Sequence, residues 1–276
     1  MDWTNVRVFA SKELRDARRN RWFWLYTAIF ASLSLALSWM GMAGVGGYRV
    51  AGFGRTAATL VNLVLLIVPL MGLTLGAMSV AGERDRGALF YVLAQPVTPS
   101  EVLAGKFLGL WLALAGSLAV GFGLSGLVVA WKAGVMQLGS YVALVGLAWG
   151  LGAVSLALGL LVSVVARCAS TAVGVALFLW LMLVFLGDLG VMGTAVVLRL
   201  RVGQLLLLAL LNPLQVFKVA AILAVRGSLE VLGPAGTYAV RTYGVRLMPL
   251  LFVVLAAWTV VPLSGAYLVT HRRGMV

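Results

Sequence analysis

Six stretches of this chain, each at least 20 residues long, contain no Asp, Glu, Lys or Arg: Trp22–Tyr48, Thr56–Gly82, Phe107–Trp131, Ala133–Ala166, Cys168–Gly187 and Leu247–Thr270. A helix needs about 20 apolar residues to cross a hydrocarbon layer of roughly 30 Å, so each stretch can span a bilayer. With 62% hydrophobic and 11% charged residues, the chain stands far from the soluble norm of about 45–50% apolar and about 25% charged. Its solvent is lipid. Backbone polar groups crossing lipid must be satisfied internally, and apolar runs of this length mean helices. The expected fold is therefore an all-α polytopic membrane protein, a single transmembrane domain over residues 1–276.

The net charge of +13 does not indicate a nucleic-acid partner. Arg and Lys gather at the edges of the spans, where they set topology and meet anionic headgroups. One cysteine, Cys168, excludes an intrachain disulfide and a Cys-pair metal site. The first apolar run is too long for a cleaved signal and five more follow, so it reads as a retained first helix.

Ahead of that run, residues 6–21 place Val6, Phe9, Ala10, Leu14 and Ala17 on one helical side among Arg7, Lys12, Arg15, Arg18, Arg19 and Arg21. This spacing predicts a basic amphipathic helix along the membrane surface, an elbow before the chain turns inward. Six positive charges put this end in the cytoplasm. Trp22, Trp24 and Tyr26 then form an interfacial belt, and His271, Arg272 and Arg273 close the last span as a second cytoplasmic stop.

Residues 191–226 are ambiguous. The apolar run Leu205–Leu211 stops at Asn212-Pro213, with Gln215 and Lys218 close behind. A lysine at the centre of a span costs about 2.5–3.5 kcal/mol, and proline removes a backbone donor. A broken, re-entrant or interfacial element on the external side fits these costs. Charge counting favours a seventh crossing, which would bring Lys218, Arg226, Arg241 and Arg246 inside.

Between the second and third spans lies Gly82–Lys106, which holds Glu83, Asp85 and Glu101 beside Arg84, Arg86 and Lys106. Thr98-Pro99-Ser100-Glu101 is a helix-start signal: Thr98 as cap, Pro99 first, and Glu101 three residues after the cap to close a capping box. Gly87–Leu93 reads as a short amphipathic helix offering Leu89 and Phe90, ended by Gln95-Pro96. The segment is thus helix, turn, helix on the cytoplasmic side.

Several chemistries are missing from the sequence. Gly105-Lys106 is followed by Phe107 and lacks the upstream glycine of a phosphate-binding loop, so ATP and Mg would bind in another chain. No span has an acid near its midpoint for a proton or sodium relay, and no hydrolytic triad can be assembled. A non-catalytic subunit is expected, with no cofactor of its own. Met40 and Met42, near the outer end of the first span, are candidate soft ligands for cuprous copper. Gly72/Gly76, Gly105/Gly109 and Gly146/Gly150 have the spacing that lets helices approach closely.

Glu83, Arg86-Gly87-Ala88-Leu89, Gln95-Pro96-Val97 and Ser100-Glu101-Val102-Leu103-Ala104-Gly105-Lys106 together resemble the cytoplasmic loop of ABC-2-type transporter membrane subunits. Lys12-Glu13-Leu14 is similar to that family's elbow helix. Ala88 stands where the family usually has Thr, and Pro99 where it usually has Arg. The run Asn212–Lys218, the chain length and the segment around Tyr238–Arg246 further resemble the permease subgroup of transporters that mature nitrous oxide reductase.

The resemblance implies a type V exporter-like fold: six transmembrane helices, an elbow helix, a cytoplasmic coupling loop over 82–106 and an external re-entrant element over 191–226. It implies a bacterial inner-membrane location with both termini cytoplasmic. It implies pairing of two copies, a cytoplasmic ATPase dimer and a periplasmic repeat protein. The residues implied for ATPase coupling are Glu83, Arg86, Leu89, Phe90, Pro96, Glu101 and Lys106. Those implied for the periplasmic contact are Arg49, Arg55, Tyr238, Arg241 and Arg246. The function implied is coupling of ATP hydrolysis to copper or sulfur delivery, by transport or by mechanical signalling. The alternative reading is an ABC-2 exporter of a lipid, glycan or hydrophobic drug; a secondary transporter without an ATPase is a further one.

Overall fold

In a computed structural model of the chain, the structure describes residues 2–43, 49–89, 95, 97–133, 138–197, 202–226 and 240–273. The helices are α1 (Trp3–Arg19), α2 (Arg21–Ala43), α3 (Arg49–Asp85), α4 (Pro99–Ala133), α5 (Leu138–Val165), α6 (Ala169–Val197), α7 (Val202–Leu210), α8 (Pro213–Arg226) and α9 (Leu247–Arg273). Among the described residues six of these are long and apolar enough to cross a membrane: α2, α3, α4, α5, α6 and α9.

The amphipathic helix is α1, Trp3–Arg19 instead of 6–21. Asp2 starts it, its Oδ1 accepting the Thr4 N–H at 2.9 Å, the usual service of an N-cap acid. Asn20 ends it in extended backbone, and the Asn20 Oδ1 accepts the Trp22 N–H at 3.0 Å, starting α2. One asparagine thus makes the bend between the two helices. Val6, Phe9 and Ala17 are buried as the spacing predicts, but so is Glu13 in the same stripe.

Helix α3 is the most buried of the six and packs most extensively on α5. The crossing is possible because both helices carry glycine there. A Cβ on Gly76 would lie 2.6 Å from the Leu156 carbonyl oxygen, and one on Gly159 would lie 2.5 Å from that of Leu73. Lipid offers no hydrophobic drive for helices to associate, so close backbone approach and dispersion contacts hold this pair. Gly105 and Gly109 play the same part for α1, whose Val6, Phe9 and Ala10 lie directly over them. Among the described residues nothing lies within 4 Å of a Cβ placed on Gly146 or Gly150.

Phe9 of α1, Val80 of α3, Val102 of α4 and Ala266 of α9 share one buried cluster, so both terminal helices reach the same end of the bundle. At the opposite end Lys132 sits 3.9 Å above the Trp39 ring. Helices α7 and α8 are 9 and 14 residues long, each too short to cross a roughly 30 Å layer. Asn212 separates them, its Oδ1 accepting the Leu214 N–H at 2.9 Å and its Nδ2 donating to the Leu183 carbonyl at 2.7 Å.

Candidate functional site

The membrane-crossing part of α3 is followed by a polar end. At about 1.5 Å per residue, the apolar stretch Phe53–Asp85 is some 50 Å long, well beyond a roughly 30 Å hydrocarbon core. Its last turn, with Glu83, Arg84 and Asp85, therefore lies among headgroups. Gly87, at φ 70°, turns the chain away, and its N–H donates to the Arg84 carbonyl at 3.0 Å. Gly87 is thus the turn itself; the chain is helical again at Ala88 and Leu89, within the expected Gly87–Leu93 helix, and residues 90–93 lie outside the described residues. Phe90 and Pro96 lie outside the described residues.

Helix α4 starts where Thr98 to Glu101 predicts, with Pro99 first. Glu101 closes its half of the capping box, Oε2 accepting the Thr98 N–H at 3.2 Å. The same carboxylate takes the Asp2 N–H at 2.7 Å and the Asn5 side-chain N–H at 3.1 Å. One acid thereby ties the starts of α1 and α4 together.

One helical turn further along, Lys106 is almost wholly buried. Its Nζ donates to Glu13 Oε1 at 2.6 Å and to the Ser79 carbonyl at 3.2 Å, and pairs with Glu83 Oε1 at 2.9 Å. Lys12 completes the cluster by pairing with the same Glu83 oxygen and, more loosely, with Glu13 at 3.4 Å and Asp16 at 3.8 Å. Burial works against the Lys12 ammonium, but its hydrogen bond to Glu83 and the charges of Glu13, Glu83 and Asp16 outweigh it and hold the pKa above the ordinary 10.5. Two lysines and two buried carboxylates therefore join α1, α3 and α4. A buried charge is tolerable only when paired and hydrogen-bonded in this way.

Neighbouring contacts extend the junction. Leu89 is buried with Phe9, Val80 and Val102. Asp85 Oδ2 accepts the Ala169 N–H at 2.8 Å, fixing the start of α6, and Arg84 donates to the Ala166 carbonyl. Cys168, between α5 and α6, has its thiol pKa lowered by hydrogen bonds from Ser170 and Thr171.

Of the residues singled out in the sequence, Glu83 and Lys106 thus pair inside the chain, Glu101 and Leu89 are buried, and Arg86 is exposed. At the other end Arg55, Arg241 and Arg246 are exposed; Tyr238 and the side chain of Arg49 lie outside what is described. Met40 is 70% exposed on α2, and the Met42 side chain is likewise outside. Sequence reasoning missed Glu13 as a partner of Lys106. The signal was there: an acid four residues after Phe9 and four before Ala17, within an apolar stripe.

The arrangement is a rigid junction of three helices at a membrane surface, suited to passing force from a polar segment into spans. The model of the ABC-2 family transporter protein matches residues 7–275. The chain is 31% identical to the probable ABC transporter permease protein NosY of Stutzerimonas stutzeri, over 96% of this chain and 97% of that one. It is 35% identical to the protein of the same name from Pseudomonas aeruginosa, over 77% and 80%. The chain belongs to the ABC-2 transporter family, as a multi-pass permease subunit of an ABC transporter.

Proposed function

We propose that this chain couples ATP hydrolysis by a partner ATPase dimer to copper or sulfur delivery in nitrous oxide reductase maturation, as a non-catalytic subunit with ATP and Mg bound in the partner. The observation that carries the reading is the buried cluster of Lys12, Glu13, Glu83 and Lys106. It makes the base of the 82–106 segment, the elbow helix α1 and the spans α3 and α4 one mechanical unit. Exposed Arg86, with Phe90 and Pro96, supplies the surface that meets the ATPase. Glu83, Leu89, Glu101 and Lys106 transmit from behind it.

In this reading both termini are cytoplasmic in a bacterial inner membrane, because the basic helix α1 shares one buried cluster with α9, which ends in His271–Arg273. The weakly buried faces of α2, α6 and α9 leave room for a second copy. Arg49, Arg55, Tyr238, Arg241 and Arg246 face a periplasmic repeat protein, and the short α7–α8 pair forms a re-entrant element. Mechanical signalling to that protein is preferred to direct translocation, since among the described residues no group of three or more His, Cys, Asp or Glu gathers that could hold a metal ion.

Charge reversal of an exposed residue tests the coupling surface without disturbing the core. Arg86→Glu should weaken co-purification with the cognate ATPase and reduce vanadate-sensitive nitrous oxide reductase maturation in cells. Unchanged co-purification and maturation would remove this surface from the account.

A further inference from the structure

Helix α6 is gripped by polar contacts at two places far apart along its length. At its start, Asp85, the last residue of α3, accepts the Ala169 N–H on Oδ2 at 2.8 Å, and Arg84 donates to the Ala166 carbonyl. Ala169 opens α6, so this N–H has no partner within its own helix and another helix supplies one. Ala77 and Ala81 of α3 are buried with Ala172 and Ala176 of α6, and side chains this small let the two helices lie close. Further along, the Leu183 carbonyl accepts from Asn212 Nδ2 at 2.7 Å. Gly187, one turn on, keeps that carbonyl open to a side chain: a Cβ there would stand 2.8 Å from the same nitrogen and 2.9 Å from Gln215 Nε2. Asn212 is also the residue that divides α7 from α8 and caps α8.

Ala169 and Leu183 are roughly 21 Å apart along the helix at about 1.5 Å per residue, so the two grips stand on opposite sides of most of a hydrocarbon layer. Between them the Trp180 indole donates to the Leu66 carbonyl at 3.0 Å, while Phe178, Leu181 and Phe185 are exposed. Of the six spans α6 is the least buried and α3 the most. Moving α3 against α5 would part the Gly76–Gly159 crossing, which close packing resists. Moving α6 disturbs far less packing within the chain.

We propose that α6 carries movement of the 82–106 segment across the membrane to the α7–α8 pair, driven at its start by Arg84 and Asp85 and delivered at Asn212. This route rests on the coupling function proposed above and names the helix through which the motion travels. Asp85 and Asn212 are positioning residues in it. A shift at the end of α3 displaces α6 as a body, because the contact is to the first backbone group of a stiff helix, and a rigid element with discrete contacts at each end is a physical carrier of coupling.

Hydrogen–deuterium exchange of the purified transporter complex, with and without vanadate-trapped nucleotide, tests this, since exchange reads local opening segment by segment. In wild type, trapping should change exchange over residues 82–106 and over 202–226 together. Asp85→Ala should keep the first response and lose the second, whereas Asp85→Asn, whose side-chain oxygen still accepts the Ala169 N–H, should keep both. Asn212→Ser can still cap α8 but is too short to reach Leu183, and should also lose the second response. A variant that merely loosens the fold would exchange faster with and without nucleotide alike and keep the difference between them; monodispersity on gel filtration checks that each is folded. A response over 202–226 that survives Asp85→Ala or Asn212→Ser, that Asp85→Asn abolishes, or that wild type lacks while 82–106 responds, would overturn this route and leave the coupling surface standing. Silence over 82–106 in wild type would overturn both.

Discussion

Replacing Lys106 with methionine isolates the charge cluster, because methionine keeps most of the apolar stem and removes only the cation. In the native protein the ammonium stands 2.6 Å from one Glu13 oxygen and 2.9 Å from one Glu83 oxygen. Those two oxygens are therefore no more than about 5.5 Å apart, and without the lysine they repel by about 3 kcal/mol at an effective dielectric of about 20. Breaking a buried pair from one side costs about 3–5 kcal/mol in general. Lys12 stays on Glu83, which favours the lower end, or roughly two orders of magnitude in the unfolding constant.

Reversible unfolding in mixed detergent, followed by tryptophan fluorescence, reads this directly. Adding Glu13→Gln and Glu83→Gln should recover most of the loss, since a buried pair replaced on both sides by neutral groups of similar volume is often close to neutral. A Lys106→Met protein within about 0.5 kcal/mol of wild type, the scatter of ordinary surface changes, would refute the reasoning. Failure of the neutralised triple variant to recover would show that the stem, not the charge, matters.

Gly76→Leu should abolish assembly of the α3–α5 crossing, since even a Cβ would meet the Leu156 oxygen at 2.6 Å, whereas Gly150→Leu should be tolerated; fluorescence-detected gel filtration separates the outcomes. Because the folded pKa of Lys12 lies above 10.5, its contribution is complete below that pH and is lost as pH rises through the folded value. Stability measured from neutral to strongly alkaline pH should show this decline, and Lys12→Met should flatten it. Alkylation of Cys168 at neutral pH should slow on replacing Ser170 and Thr171 with alanine, which removes the hydrogen bonds that favour the thiolate. Glu101→Ala frees the Asp2 and Asn5 contacts, so limited proteolysis should cut ahead of α1 sooner.

The spans and the start of α4 were legible in the sequence because their signals are local. A run of about 20 uncharged residues declares a span, and Thr98 to Glu101 carries its capping chemistry within four positions. Asn20 as the break between α1 and α2 was also a local signal, overlooked among the arginines around it. The Lys106–Glu13 pair was not legible, because its members stand 93 residues apart and only the docking of α1 onto Gly105 and Gly109 brings them together. That Gly87 makes a turn just ahead of the helical Ala88 and Leu89 was not legible either, because its positive φ has no signature beyond the glycine itself.

The most direct test of the central claim compares ATP hydrolysis by the purified transporter complex with maturation of nitrous oxide reductase in cells, for wild type and for the Glu13→Gln, Glu83→Gln, Lys106→Met variant. If the cluster carries motion from the coupling segment into the spans, hydrolysis should persist while reductase activity falls roughly tenfold, within the range expected for broken coupling. Maturation at the wild-type level, from a variant whose cluster holds no charge at these three positions, would contradict the account.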